Sequence, residues 1–300
     1  MTILQLSQEI GIGVDTLRVW ERRYGFPVPE RNRRGHRHYP PEQVEELRIV
    51  KKLQHLGYRP SRIFSLSPAE RREVLEKALQ HRPAQDEPLL RLATELAPDE
   101  VDHTLRSALR KLGPGRFVEQ VAVPLIQVLD RGWTDGSLSI AREHLISDRL
   151  EALMKEQLRQ AQEKPGSTRL LFLTLSGERH KLGLLMAALL FREQGMDCLL
   201  LQGDLPLSEV PRLALDLNVA GVALSFSLHF PARQAQKDLV ALRKSLDSTI
   251  KLVAGGSAVR QGVRLPGMTI CSDLREIPDI CRREFKETTA DRPPHALITR

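Results

Sequence analysis

Only three of the 300 residues are cysteine: Cys198, Cys271 and Cys281. They are too few and too scattered for a disulfide framework or a zinc site, so a reduced chain is expected. Aromatic residues make up only 4%. The cores must therefore be filled by Leu, Val, Ile and Ala packed between helices and sheet. No apolar run approaches the ~18 residues of a membrane span, and MTILQLSQEI has no basic segment leading into a long apolar one. The expectation is a cytoplasmic chain with no membrane partner. No internal repeat or low-complexity tract is evident.

What the chain does have is length for more than one domain, at ~100 to 150 residues each, and positive charge. The formal net charge is +7 and the pI about 9.5, which permits an anionic partner without proving one. Much of the excess is local. Between Arg18 and Arg37 lie seven Arg against two Glu, a net of +5.

At the N-terminus, residues 2 to 10 predict a short helix with Leu6 and Ile10 inward. The turn GIG and a second helix from about Val14 to Arg23 follow. Helix, Gly turn, helix is the spacing of a helix-turn-helix, whose second helix enters a DNA major groove. With Leu17 inward, Thr16, Arg18, Arg22 and Arg23 face out. YGFPVPE then breaks the helix, and RNRRGHRHY reads as a basic arm turned at Gly35. Pro41 starts a helix with Val44, Leu47, Val50 and Leu53 at helical spacing, and two short helices follow in 60–79. HRPAQDEP carries two prolines and no apolar period, so a linker is placed there.

TLRVWERRYGFPVPERNRRGHRHYPPEQVEEL resembles the winged-helix DNA-binding domain of the MerR family. The resemblance implies Arg18, Trp20, Arg22, Arg23 and Tyr24 on or beside the recognition helix. It implies Arg31, Arg33, Arg34, Gly35, His36, Arg37 and Tyr39 in the wing. Basic residues there would neutralise phosphates and make binding steeply salt dependent. Without a Cys before residue 198, a thiolate metal sensor is not expected.

From Leu89 to about Gln162 the pattern is helical. Breaks at Pro98, at Leu112-Gly113-Pro114 and at Trp133 to Ser137 give four segments, which suggests a four-helix bundle. Beyond EKPGST, apolar runs near 169–175, 197–202, 219–226, 250–254 and 268–271 alternate with helical stretches. They predict a Rossmann-like, five-stranded parallel sheet with helices on both faces. The expected domains are thus 1–80, 87–163 and 168–286, with a polar tail over 287–300.

The turn SGERH follows the first of these strands. In such sheets ligands bind outside the carboxyl ends of the strands, so Glu178 and His180 would project toward a ligand. Gly183 would leave space for a bulky group, and Gly255 and Gly256 after KLVA would let backbone approach one. Imidazole suits a borderline metal ion, and Glu178 could hold its second nitrogen.

Glu178-x-His180-x-x-Gly183, Ser225 and Gly255-Gly256 together resemble the fingerprint of cobalamin-binding domains. The resemblance implies His180 as the lower cobalt ligand, with the Ser and Gly-Gly positions lining a slot for the cofactor's nucleotide tail. Ser227 departs from the pattern, which more often has an apolar residue or Thr there. Trp133-x9-Glu143-His144 is similar to the motif by which CarH-type light-sensing repressors cover the upper face of adenosylcobalamin. Thr134 stands where that family commonly has a His that takes the upper cobalt position after light. His144 is the nearest substitute in sequence.

The resemblance therefore implies a non-enzymatic, cobalamin-dependent repressor of transcription. It would bind double-stranded operator DNA as a homo-oligomer, a tetramer in the dark ligand-bound state, and respond to light through photolysis of adenosylcobalamin. The alternatives are a regulator that senses cobalamin without light, a corrinoid enzyme subunit, and a DNA-binding protein whose sheet domain only oligomerises.

Overall fold

The computed structural model describes residues 1–31, 37–55, 58–80, 87–135, 138–160, 166–228, 230–260 and 265–285. The chain divides into two compact units. Met1–Thr94 with Gln127–Glu143 form the first, and Glu95–Ile126 with His144–Arg300 form the second.

In the first unit, α1 (Ile3–Ile10) starts at a Thr2 and Gln5 capping box and stops at Gly11, in the left-handed region at φ +64°. α2 (Val14–Tyr24) follows after three residues, Gly11, Ile12 and Gly13. The short strands β1 (Glu30–Arg31) and β2 (Arg37–His38) pair antiparallel, with Arg31 opposite Arg37. α3 (Pro41–His55), α4 (Pro60–Ser65) and α5 (Pro68–Gln80) complete the helix-turn-helix region. Its core is Leu6, Ile10, Leu17, Trp20, Tyr39, Val44, Leu47, Val50, Leu53 and Ile63; Leu6, Ile10, Leu17, Val44, Leu47, Val50 and Leu53 are the inward positions that helical period gave.

The four expected helical segments are present as α6 (Glu87–Thr94), α7 (Pro98–Leu112), a run from α8 (Pro114–Phe117) through a π turn to α9 (Val123–Asp135), and α10 (Ile140–Gln160). The expected break at Trp133 falls later. α9 continues through Gly132 and Trp133 to Asp135, since one helical Gly costs only ~1 kcal/mol. Arg142 joins α10 to α6 by donating from Nε to the Ala93 carbonyl, 2.8 Å. In the second unit α7 and α10 are linked by Arg149–Asp102 at 3.0 Å and Arg106–Glu156 at 2.6 Å.

The sheet comprises β3 (Arg169–Leu175), β4 (Asp197–Leu205), β5 (Gly221–Ser225), β6 (Lys251–Gly255) and β7 (Met268–Cys271). All pairs are parallel, in the order β4-β3-β5-β6-β7. β3 is buried at six of its seven positions, as expected of a strand covered on both faces. The connecting helices are α11 (Leu182–Glu193), α12 (Val210–Asp216), α13 (Ala232–Ser245) and α14 (Ile277–Glu284). Because β4 and β5 lie on opposite sides of β3, strand order reverses there, and the loops after β3 and β5 border the crevice that this reversal opens. Cys198 and Cys271 are buried in the sheet, and burial pushes both thiols up to about 12. Such thiols are protonated and inert at neutral pH. No helix among the described residues is long and apolar enough to cross a membrane.

Candidate functional site

β3 ends at Leu175, and the Glu178 N–H donates back to the Leu175 carbonyl at 3.0 Å, turning the chain at once. That turn places Glu178 under the carboxyl edge of the sheet with a side chain only 1% exposed, while the His180 side chain is 54% exposed. His180 Nδ1 lies 3.0 Å from Glu178 Oε1, and the His180 main-chain N–H donates to the same oxygen at 2.8 Å. The loop after β5 closes the set. Ser227 N–H donates to Glu178 Oε2 at 2.6 Å, and Ser227 Oγ lies 3.1 Å from Oε1 and 3.0 Å from His180 Nδ1.

Burial alone would raise the Glu178 carboxyl, but the hydrogen bonds from His180 and Ser227 outweigh it and hold the group down at about 2. Glu178 is thus a buried carboxylate at neutral pH. Its charge favours an Nδ1–H tautomer on His180.

The other predicted residues of this edge gather around the same place. Ser225 pairs in register with Gly255, and Gly255 with Cys271. A Cβ on Gly183 would meet Ser225 Oγ at 3.0 Å. Gly256 has φ +97°, and a Cβ there would sit 2.1 Å from the Phe226 carbonyl oxygen. Backbone of β6 therefore crosses the loop of β5 at a separation that only glycine allows. Glu178, His180, Gly183, Ser225, Ser227, Gly255 and Gly256 all belong to this one edge. Sequence reasoning counted Ser227 as a departure and missed its bonds to Glu178 and His180. A small hydroxyl beyond a strand end, at a position more often apolar or Thr, was the available signal.

On α2 the side chains of Thr16, Arg18, Arg22 and Arg23 are exposed as expected. Tyr24 is half-buried and stacks on Phe64, centroids 4.6 Å apart. Two residues assigned to DNA contact are core residues instead. Trp20 is 4% exposed and packs edge-on against Phe64 at 5.1 Å. Tyr39 is fully buried, and its hydroxyl hydrogen-bonds Glu21. Arg37 lies 3.4 Å from the same Glu21 carboxylate. These bonds fix the base of the arm to α2. Arg31 and Arg37 are exposed on it, and Arg33, Arg34, Gly35 and His36 lie outside the described residues.

Trp133 falls in the last turn of α9, but its side chain and that of Thr134 lie outside the described residues. Glu143, half-buried, and His144, exposed, sit in the first turns of α10.

Residues 1–67 match the MerR HTH family regulatory protein, and residues 85–156 match the B12 binding domain. The chain joins a MerR-type helix-turn-helix region to a B12-binding domain. It is 29% identical to the HTH-type transcriptional repressor CarH of Myxococcus xanthus over 83% of this chain and 86% of that protein. To the repressor CarA of the same organism it is 28% identical, over 88% of this chain and 89% of that one. The monomethylamine corrinoid protein of Methanosarcina barkeri matches at TM-score 0.50 and 12% identity, covering 66% of this chain and 94% of the other. At that identity the likeness is one of fold. The MerR-type region contains α2 and the arm. The match to the B12-binding domain spans the four helical segments from α6 to α10, and the sheet with the Glu178 and His180 edge follows it in the chain.

Proposed function

We propose that the protein is a cobalamin-dependent repressor of transcription that binds operator DNA through α2 and the β1–β2 arm. The observation that carries this reading is the Glu178, His180 and Ser227 set at the sheet's carboxyl edge. Among the described residues no group of three or more His, Cys, Asp or Glu is placed to hold a metal ion. A single imidazole is a poor site for a bare cation but suits cobalt that arrives already held in a corrin ring. His180 would hold the cobalt through its imidazole, with Glu178 and Ser227 orienting the ring. Ser225, Ser227, Gly255 and Gly256 are assigned to line the slot for the nucleotide tail, as the resemblance implies, with Gly183 beside Ser225. Trp133, Glu143 and His144 keep the upper-face role that the resemblance implies.

Adenosylcobalamin, when bound, would supply a cobalt to carbon bond that light breaks. The chain's own part is to exclude water from that bond and to hold a DNA-binding homo-oligomer, assigned as a tetramer, in the dark. Thr16, Arg18, Arg22, Arg23, Tyr24, Arg31, Arg33, Arg34, Gly35, His36 and Arg37 are assigned to the duplex. The proposed domains are 1–80, 87–163 and 168–286. An N-terminal DNA reader favours regulation over a role as a corrinoid enzyme subunit.

The test is absorbance of full-length protein loaded with adenosylcobalamin in the dark and after illumination, with sizing of each sample. We expect a bound corrinoid whose photolysis breaks up the oligomer, and His180→Ala to lose both bound cofactor and assembly. A His180→Ala oligomer carrying cobalamin unchanged would refute the ligand assignment. Thr134 favours a second reading, a cobalamin sensor indifferent to light, because a hydroxyl is a poor upper ligand for cobalt. Photolysis without a change in size would select it.

A further inference from the structure

Arginines on α2 and the arm account for attraction to DNA, but phosphate contacts carry no sequence information. The outward side of α2 also carries side chains that are not basic. Leu17 is fully buried and Trp20 4% exposed, which fixes the inward line of the helix. At about 100° per residue the opposite line runs through Asp15 and Arg22, with Arg18 about 50° to one side and Val19 about 50° to the other, and Arg23 and Thr16 beyond Val19. Asp15 and Arg18 are exposed and form an ion pair at 3.8 Å, and Val19 is 40% exposed.

A branched apolar group therefore stands on the outward half of the helix, among Asp15, Arg22 and Arg23, while the Asp15 carboxylate is paired with Arg18. A surface built only for phosphates gains nothing from an apolar group. Such a group suits base edges in a major groove, where the thymine C5-methyl is the apolar landmark. Asp15 has another use, as an anion in the first turn of α2, favourable to the helix dipole. Val19 has none of that kind, and a β-branched residue on an exposed helix face is not there for helix propensity.

We propose that Val19 reads a thymine methyl group, with the neighbouring arginines of α2 lying against the phosphates. This rests on the reading of α2 as the groove helix. Full-length protein is used to enrich binding sequences from a random duplex pool. The best duplex is then remade with deoxyuridine in place of each thymine in turn, which removes only the methyl.

One thymine position per half-site should lose roughly fourfold in affinity, the worth of one buried methyl. Val19→Ala should bind the thymine duplex as weakly as the wild type binds the deoxyuridine one, and show no further loss on the latter. Equal binding at every thymine, or a full penalty retained in Val19→Ala, overturns the inference and leaves DNA binding standing. A pool in which no sequence is enriched overturns both.

Discussion

Tyr39 is the residue that ties the basic arm to α2, because its hydroxyl and Arg37 share the one carboxylate of Glu21. Burial first, and Glu21 second, push the phenol from 10.0 up to about 12. The folded chain therefore holds this proton more tightly than the unfolded one. Its contribution to stability is complete below pH 10 and is lost as pH rises toward 12. We expect a tyrosinate absorbance step near pH 12 that Tyr39→Phe removes. The same substitution should cost about 1 to 2 kcal/mol in the helix-turn-helix region and weaken DNA binding, because the arm loses an anchor at its base. Unchanged titration in Tyr39→Phe would mean that the late step belongs elsewhere. Trp20 and Tyr39 also show where the sequence misleads. Motif resemblance put both against DNA, whereas helical period already set Trp20 on the inward side, three residues from Leu17. That Glu178 and His180 lie in the turn after β3 was legible from the apolar run before them, whereas their role in a cofactor site came from motif resemblance. The part of Ser227 was not legible, because its bonds to Glu178 span 49 residues of chain and exist only once β3 and β5 are neighbours.

Among the elements, the strands were the most legible part of the chain. Each is a short apolar run bounded by turns, and five parallel strands with helices between them leave few topologies open. The end of α9 was less so, since a helix can absorb one Gly and continue. The glycines at the strand ends separate packing from ligand space. Gly256→Ala needs a left-handed backbone and meets a carbonyl oxygen at 2.1 Å, whereas Gly255→Ala meets one at 3.3 Å without a positive φ. Urea unfolding of the corrinoid-free protein should therefore show a loss of at least about 2 kcal/mol for Gly256→Ala and a smaller one for Gly255→Ala. Gly183→Ala meets only the Ser225 hydroxyl, which can rotate away. It should leave stability nearly unchanged while lowering affinity for cobalamin, and a comparable loss of stability would show that Gly183 serves packing rather than the ligand.

At the scale of the whole molecule, a DNA reader and a corrinoid site on one chain affect each other only through a difference in affinity between two states. If cobalamin favours the form that binds DNA, thermodynamic reciprocity requires DNA to tighten cobalamin by the same factor. A tenfold gain in operator affinity, about 1.4 kcal/mol, must reappear as a tenfold gain in corrinoid affinity. Both can be measured in the dark on the full chain, one by titrating operator duplex into the loaded and unloaded protein, the other by titrating adenosylcobalamin with and without duplex. The two factors should agree and exceed one, and both should fall to one in His180→Ala. Cobalamin bound tightly with a factor of one in the wild type would leave two independent binding functions on one chain, and the proposed switch would be wrong even with each site assigned correctly. A factor above one in both His180→Ala and the wild type would place the coupling at the upper face, among Trp133, Glu143 and His144, rather than at the lower ligand.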